Sequence, residues 1–238
     1  MKPPRIVLLH ATPVAVDPVA AAFAELWPAA ELVNLLDDSL SADRAKTEEL
    51  TPAITERFVG FGRYAVSTGA DAILVTCSAF GPSIEIMQAE LPIPVLKPNE
   101  AMFQAAVFQG RNVAMVATFR PAVITMEAEF GEYVRQTGAE ARLTTFVVEP
   151  AMTALRAGDA EAHNRLVAEI AGNLDGFDTV MLAHFSTSRA LAALSARLDV
   201  PVLSAPRAAV TQLRELIGVW TSPDPGSDSL QTPKGRGS

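Results

Sequence analysis

Short apolar runs recur along the chain and alternate with longer segments whose apolar residues have helical spacing. The runs predict strands at 5–9, 31–35, 71–76, 94–97, 112–117, 142–148, 178–183 and 200–204. The longer segments predict helices at 17–26, 51–67, 82–90, 99–109, 121–137, 160–174, 187–197 and 206–217. This alternation is typical of βαβ units in a parallel sheet, and strands that are apolar throughout imply helices on both faces.

Several polar and turn-forming residues mark the ends of these elements. Thr51 precedes Pro52 in the manner of an N-cap before a proline in the first helical turn, and Gly69 is placed to end the same helix. Residues 36–50 are polar and predict a loop long enough to act as a lid over a site. Residues 221–238 contain little that could be buried, so we expect a disordered tail.

The two halves of the chain repeat each other at an offset of 107 residues. Residues 71–106 align with residues 178–213 without a gap, and Asp71 falls on Asp178. An offset this long indicates a duplicated lobe, because solenoid repeats have periods of about 20–50 residues. The predicted fold is therefore α/β with two similar lobes, each a four-stranded parallel sheet flanked by helices. We expect a pseudo-twofold axis to relate the lobes, with the site between them.

The composition excludes several classes of function. A net charge of −8 and a pI near 4.9 argue against a nucleic-acid-binding surface, which needs clustered Lys and Arg. No stretch approaches the roughly 18 uninterrupted apolar residues of a membrane span, so we expect no membrane partner. A single cysteine excludes an internal disulfide and agrees with a reducing cytoplasm, where we expect the protein to reside.

The candidate catalytic residues follow two repeat-related strands. Cys77, the only cysteine, and His184 each follow a predicted strand and precede a helix. Ligands of open parallel sheets bind beyond the carboxyl ends of the strands. A helix N-terminus offers unpaired N–H groups that suit a carboxylate, and it lowers the pKa of a nearby cysteine toward neutrality. If the lobes face each other across one cleft, the two side chains approach a ligand from opposite sides.

Neighbouring residues supply the N–H and hydroxyl groups that could hold a small carboxylate substrate. These candidates, at the ends of the first and third predicted strands of each half, are Thr12, Ser78, Ala79, Thr118, Phe119, Phe185 and Ser186. A structural interpretation stands beside this one, because a lone cysteine or histidine is commonly a core residue.

Metal and nucleotide cofactors are not indicated by the sequence. The three histidines, His10, His163 and His184, lack metal-ligand spacing, so we expect no metal site. His163 lies in a polar helical stretch and is expected to face solvent. The chain contains neither a dinucleotide-binding fingerprint nor a phosphate-binding loop.

The duplicated halves, the TCSAFG motif and the segments PVLKPNEAMF and PVLSAPRAAV resemble the aspartate/glutamate/hydantoin racemase superfamily, which includes arylmalonate decarboxylases and maleate isomerases. The resemblance covers about residues 5–217. It implies an enzyme without a cofactor, in which a cysteine after the third strand of each lobe moves a proton on one face of the substrate. It also implies that the C-terminal helix returns to the first lobe, giving lobes of 1–98 plus 206–220 and of 99–205.

At the second family cysteine position this chain has His184, whereas Cys77 matches the first. A Cys/His pair can still racemise, because an imidazole with a pKa near 6.5 is a competent acid or base. We therefore expect a racemase- or isomerase-like enzyme that acts by thiol-based proton transfer on a small carboxylate-bearing carbon acid, such as an amino acid. Two alternatives stay open: a malonate-type decarboxylase or maleate-type cis–trans isomerase using Cys77 alone, and a non-catalytic carboxylate-binding module. A homo-oligomer also stays open.

Overall fold

The computed structural model describes residues 2–47, 49–120 and 123–220, and the strands in these residues form two four-stranded parallel sheets. The strand order is β2-β1-β3-β4 in the first sheet and β6-β5-β7-β8 in the second. The strands are β1 (Arg5–His10), β2 (Glu31–Leu36), β3 (Ala72–Val75), β4 (Val95–Leu96), β5 (Asn112–Ala117), β6 (Arg142–Val147), β7 (Thr179–Leu182) and β8 (Val202–Ser204). The predicted fold class, α/β with two similar halves, is confirmed.

The register of the strands repeats the 107-residue offset of the sequence. Equivalent pairs are Ile6–Ala72 and Val113–Thr179 between the first and third strands, and Ile73–Val95 and Val180–Val202 between the third and fourth. The second strands depart from this offset. Arg5 pairs with Glu31, 26 positions on, whereas Asn112 pairs with Arg142, 30 positions on. The added residues of the second half therefore lie between its first two strands.

The repeated aspartates hold the start of the first strand in each half. The Arg5 backbone N–H donates to Asp71 Oδ2 at 2.7 Å. Asp178 Oδ2 accepts from the backbone N–H groups of both Arg111 and Asn112 at 2.8 Å. Aspartate recurs at offset 107 because the same backbone donors need the same acceptor in both halves.

The strands are buried on both faces, which explains their continuous apolar pattern. Along β1, Ile6 and Leu8 belong to a central core, whereas Val7 and Leu9 belong to a cluster on the outer face of the first sheet. Residues of β5 alternate in the same way between the central core and an outer cluster of the second sheet. The central core therefore joins the inward faces of both sheets.

Eleven α-helices within the described residues connect and cover the strands of the two sheets. They are α1 (Val16–Leu26), α2 (Ser39–Arg44), α3 (Pro52–Ser67), α4 (Gly81–Glu90), α5 (Glu100–Gln109), α6 (Val123–Thr137), α7 (Glu149–Arg156), α8 (Ala160–Ala168), α9 (His184–Thr187), α10 (Leu191–Ser195) and α11 (Ala205–Trp220). Helix α11 packs against α1 of the predicted first lobe and against α5 of the predicted second lobe. The return of the C-terminal helix to the first lobe and the boundaries of the lobes stay predictions. Within the described residues, no helix combines the length and the apolar character that a membrane span requires.

The expected ends of α3 are confirmed. Thr51 is its N-cap, with the Thr51 Oγ1 atom accepting a hydrogen bond from the Ile54 backbone N–H at 3.3 Å. Gly69 follows the helix with φ of 80°, in the left-handed region that favours glycine. The predicted start of α6 at 121 and the predicted tail at 221–238 lie outside the described residues.

The segment 36–50 is not the continuous loop predicted from its polarity, because α2 forms within it. Leu40 is fully buried beneath this helix. Arg57 of α3 donates to Asp43 at 2.8 Å and also pairs with Asp37. One apolar anchor and an ion-pair network therefore hold the segment on α3, and an open lid loop is the wrong description.

In the second half, one helix was missed and two helical predictions are corrected. Helix α7 was not predicted, the 160–174 helix gives way to a 3-10 turn at Glu169–Asn173, and the 187–197 helix is replaced by two short helices joined by a 3-10 turn. The prediction that His163 faces solvent is wrong. His163 is fully buried, and its Nδ1 atom lies 2.9 Å from Asn164 Oδ1. The polar neighbours of His163 occupy the exposed face of α8, and the imidazole occupies the other.

Candidate active site

A cavity of about 690 Å³ lies where the two halves of the chain meet. Its lining comes from the β3–α4 connection, the β4–α5 connection and α6, together with Arg44 of α2 and His184 of α9. Cys77 follows the end of β3 by two residues, and His184 follows the end of β7 by two residues. The duplicated fold therefore brings its two repeat-related candidates to the wall of one cavity.

Cys77 has an ordinary extended backbone and precedes a short 3-10 turn that leads into α4. Burial raises the pKa of its thiol, a hydrogen bond from the Ala79 backbone N–H lowers it, and the negative charge of Glu129 raises it further. The net effect is a pKa above the usual cysteine value. The expectation of a lowered pKa is therefore wrong, because the desolvation of a thiolate here outweighs a single N–H donor.

His184 has a strained backbone. With φ of 66° it is the only non-glycine residue with positive φ among the described residues, and this conformation costs an L-residue roughly 1–2 kcal/mol. Burial lowers the pKa of the ring, and its Nε2 atom is buried without a hydrogen-bond partner in the described part of the chain. The site therefore contains a neutral imidazole with one unpaired nitrogen, and such strain is commonly retained where it serves function.

Two of the predicted binding residues, Ser78 and Ala79, line the cavity beside Cys77. The other five are not among the described residues that line it: Thr12, Thr118, Phe119, Phe185 and Ser186. The Phe185 side chain belongs to the central core, and the Thr118 hydroxyl lies 3.2 Å from the Thr187 hydroxyl. The Phe185 side chain is therefore held in the core and the Thr118 hydroxyl in a hydrogen bond. A role of the five residues in substrate binding stays a prediction.

Glu129 of α6 is a residue of the cavity that the sequence analysis missed. The Asn99 Nδ2 atom donates to Glu129 Oε2 at 2.8 Å. Burial raises the pKa of the Glu129 carboxyl, while hydrogen bonds from Asn99 and Ser78 and the charge of Lys97 lower it, leaving a net rise. The residues of α6 that line the cavity have helical spacing, but the sequence alone does not distinguish this polar stripe from a solvent-exposed face. They include Thr125, Ala128, Glu129, Glu132, Tyr133 and Gln136.

Three cations also line the cavity, and two of them are paired. Lys97 lies 2.8 Å from Glu85, and Arg135 forms an ion pair with its helix neighbour Glu132. Arg44 instead donates from Nη1 to the Thr47 carbonyl at 2.7 Å, and its buried Nε has no hydrogen-bond partner within the described residues. Arg44 is therefore the one of these three cations that has no carboxylate partner among the described residues.

Solved structures with this fold include several racemases and a decarboxylase. An allantoin racemase from Klebsiella pneumoniae aligns over 98% of this chain and 95% of its own, with 19% identity and a TM-score of 0.69. An aspartate racemase homologue from Pyrococcus horikoshii OT3 aligns over 92% and 100%, with 17% identity and a TM-score of 0.68. A variant of arylmalonate decarboxylase in its liganded form aligns over 90% and 93%, with 18% identity and a TM-score of 0.63. At these identities the likeness shows the fold.

The family itself is shown by the sequence. No curated protein sequence matches this chain significantly. A family model does match it: the model of the family described as Asp/Glu/Hydantoin racemase covers residues 10–213, which contain both Cys77 and His184. This chain therefore belongs to the Asp/Glu/hydantoin racemase family.

Proposed function

We propose that the protein is a cofactor-independent racemase or isomerase of a small carboxylate-bearing carbon acid, with Cys77 and His184 as its two proton-transfer groups. The observation that carries this proposal is that both side chains line one cavity from repeat-equivalent positions in the two halves. Inversion at carbon requires one group to remove a proton and another to deliver a proton to the opposite face. Groups contributed by facing halves of a fold meet that requirement.

The electrostatics of the two groups support a definite assignment of roles. Burial lowers the pKa of His184 and raises that of Cys77, so at neutral pH the resting site holds a neutral imidazole and a protonated thiol. His184 removes the proton α to the carboxylate, and the Cys77 thiol delivers its own proton to the other face. The products of this step are an imidazolium and a thiolate, and the reverse reaction begins from that pair.

The cavity also offers donors for the substrate carboxylate and for the charge that develops on it. Arg44 has an unpaired Nε, and the backbone N–H groups after Cys77 begin the 3-10 turn that precedes α4. Donors fixed before the reaction stabilise an enediolate more effectively than mobile water does. These groups support a carboxylate substrate, and relatives named as allantoin and aspartate racemases suggest ureido or amino acids as the first compounds to test.

A decarboxylase is the second candidate, and the protonated state of Cys77 favours it. Loss of CO₂ from a malonate-type acid leaves an enediolate that needs only one proton donor. A thiol with a raised pKa is a suitable donor, and one structural neighbour is an arylmalonate decarboxylase. In that reaction His184 has no obligatory proton-transfer role.

One set of substrates in D₂O separates these candidates. Single enantiomers of amino and ureido acids are incubated with the enzyme beside arylmalonates, and NMR, optical rotation and CO₂ release are followed. Deuterium at the stereocentre together with loss of optical rotation supports the racemase. Release of CO₂ supports the decarboxylase, and binding without either reaction contradicts both enzymatic proposals.

The variant His184→Gln tests the assignment of roles, because glutamine can form hydrogen bonds but cannot relay a proton near neutral pH. We expect it to abolish racemisation while leaving, at a pH high enough to ionise the Cys77 thiol, exchange without inversion in the one enantiomer whose α-proton faces Cys77. A glutamine variant with a near-normal rate of racemisation would show that His184 only orients the substrate.

A further inference from the structure

The Cys77 thiol lies in a cluster of polar groups that the proposed reaction does not yet use. Glu129 lines the same cavity, and its negative charge acts on the thiol. Ser78, the residue after Cys77, hydrogen-bonds to the Glu129 carboxyl. Asn99 is 5% exposed and fixes Glu129 Oε2 through a 2.8 Å hydrogen bond. Two acids from different elements are therefore held beside each other.

A proton donor must recover its proton before it can act again. Cys77 is partly buried: it lines the cavity, and its side chain packs against the outer cluster of the first sheet that contains Phe80 and Ile84. Glu129 is also partly buried, lines the same cavity, and its charge acts on the thiol. Its carboxyl is therefore placed to exchange a proton both with the thiol and with solvent in the cavity.

We propose that Glu129 is the proton-relay residue of this site and returns a proton to Cys77 after each turnover. After Cys77 has given its proton to the substrate, the Glu129 carboxylate takes a proton from solvent, and the resulting carboxylic acid gives that proton to the Cys77 thiolate. This restores a thiol and a carboxylate. The proton that His184 removed from the substrate leaves the imidazolium for solvent, so charge and atoms balance. The proposal rests on the proposed function insofar as it assumes that Cys77 delivers a proton to substrate.

Surrounding charges set the balance between the two acids. Each opposes ionisation of the other, because two adjacent anions in a desolvated site repel. Lys97 is the cation that acts on Glu129, and part of its charge is taken up by Glu85 at 2.8 Å. Arg44 and His184 line the cavity as well. The charges that act on this pair of acids are that of Lys97 on Glu129 and that of Glu129 on Cys77. At neutral pH we therefore expect the pair to hold one proton, on the Cys77 thiol.

The variant Glu129→Gln tests the relay, with Glu127→Gln as its matched control. Glu127 lies on the same helix but is exposed, so its variant removes an equal charge away from the thiol. The first measurement is the pH profile of iodoacetamide alkylation, which reports the thiolate. With the neighbouring anion removed, we expect the apparent pKa of Cys77 to fall in Glu129→Gln and alkylation near pH 8 to become several-fold faster.

The second measurement is turnover. Loss of the proton source should lower the kcat of Glu129→Gln by roughly 10²-fold, the lower end of typical acid–base contributions, with little change in KM. The two readouts then move in opposite directions. A purely electrostatic role of Glu129 would lower kcat only at a pH at which the shifted thiol is ionised, so kcat is also compared near pH 6, where only loss of the relay predicts a lower value. Glu127→Gln should leave the alkylation profile as in the wild-type protein.

An alkylation profile that is the same in Glu129→Gln and in the wild-type protein overturns the proposal, since the two side chains would not interact. Faster alkylation with an undiminished kcat overturns it as well, because Glu129 would then be only a nearby charge. If the wild-type protein turns over none of the acids tested, the proposed function alone has failed. The alkylation profile then still supports or overturns the link between Glu129 and Cys77.

Discussion

The backbone strain at His184 can be measured by comparing glycine and alanine at that position. With φ of 66°, alanine keeps the left-handed penalty of roughly 1–2 kcal/mol, whereas glycine avoids it. Glycine in an ordinary position costs about 0.5–1 kcal/mol relative to alanine, because it loses more chain entropy on folding. We therefore expect His184→Gly to have a free energy of unfolding about 0.5–1 kcal/mol greater than that of His184→Ala.

Cys77 provides the internal control, because it occupies the repeat-equivalent position with an ordinary φ of −133°. There the order should reverse, with Cys77→Ala about 0.5–1 kcal/mol more stable than Cys77→Gly. Subtracting the glycine–alanine difference in the free energy of unfolding at position 77 from that at position 184 cancels the general cost of glycine. It leaves the left-handed penalty of about 1–2 kcal/mol.

Urea unfolding of the four variants measures these differences, and thermal unfolding should separate each pair by about 1–4 °C for a chain of this size. Both members of each pair lack the original side chain, so loss of the imidazole or thiol does not enter the comparison. The reasoning is refuted if alanine is as stable as glycine at position 184, or if both positions prefer the same residue.

Two further predictions concern stability. Burial lowers the pKa values of both His10 and His184. Below about pH 6.5 the unfolded chain therefore binds more protons than the folded chain, and the free energy of unfolding should fall as the pH is lowered. His184→Gln should remove part of this loss in acid unfolding experiments and leave the part due to His10, whereas an unchanged pH dependence would contradict the lowered pKa. Asp178→Asn should weaken the two backbone hydrogen bonds at the start of β5 and lower the free energy of unfolding by about 1 kcal/mol in urea, and a change below about 0.3 kcal/mol would show that this carboxylate is dispensable.

The strands were predictable because burial on both faces gives them an unbroken apolar sequence. The start of the fourth strand in each half was harder to predict. Pro94 and Pro201 lack an N–H and precede β4 and β8, although their carbonyls accept hydrogen bonds from Ile73 and Val180. Short helices were missed for a different reason. Helix α2 depends on the burial of Leu40 and on ion pairs with α3, and contacts of that kind leave no local periodicity.

The candidate site was predictable only where the repeat pointed to it. Cys77 and His184 stand out because the 107-residue offset superposes them, and both line the cavity. Glu129 lies on a helix with many acidic residues, and only the packing of α6 over the β3–α4 connection distinguishes it from Glu127. The direction of the Cys77 pKa was wrong for a similar reason. A helix N-terminus is visible in the sequence, whereas desolvation depends on the whole fold.

The central core has a consequence for how the two halves could diverge. The central core contains residues of both sheets and of helices from both halves, so the chain resembles a dimer whose subunits have been joined into one polypeptide. In a dimer of identical subunits, the position after the third strand would carry the same amino acid twice. Covalent fusion removes that constraint. It allows a thiol to face an imidazole, and an asymmetric pair to arise within a symmetric framework.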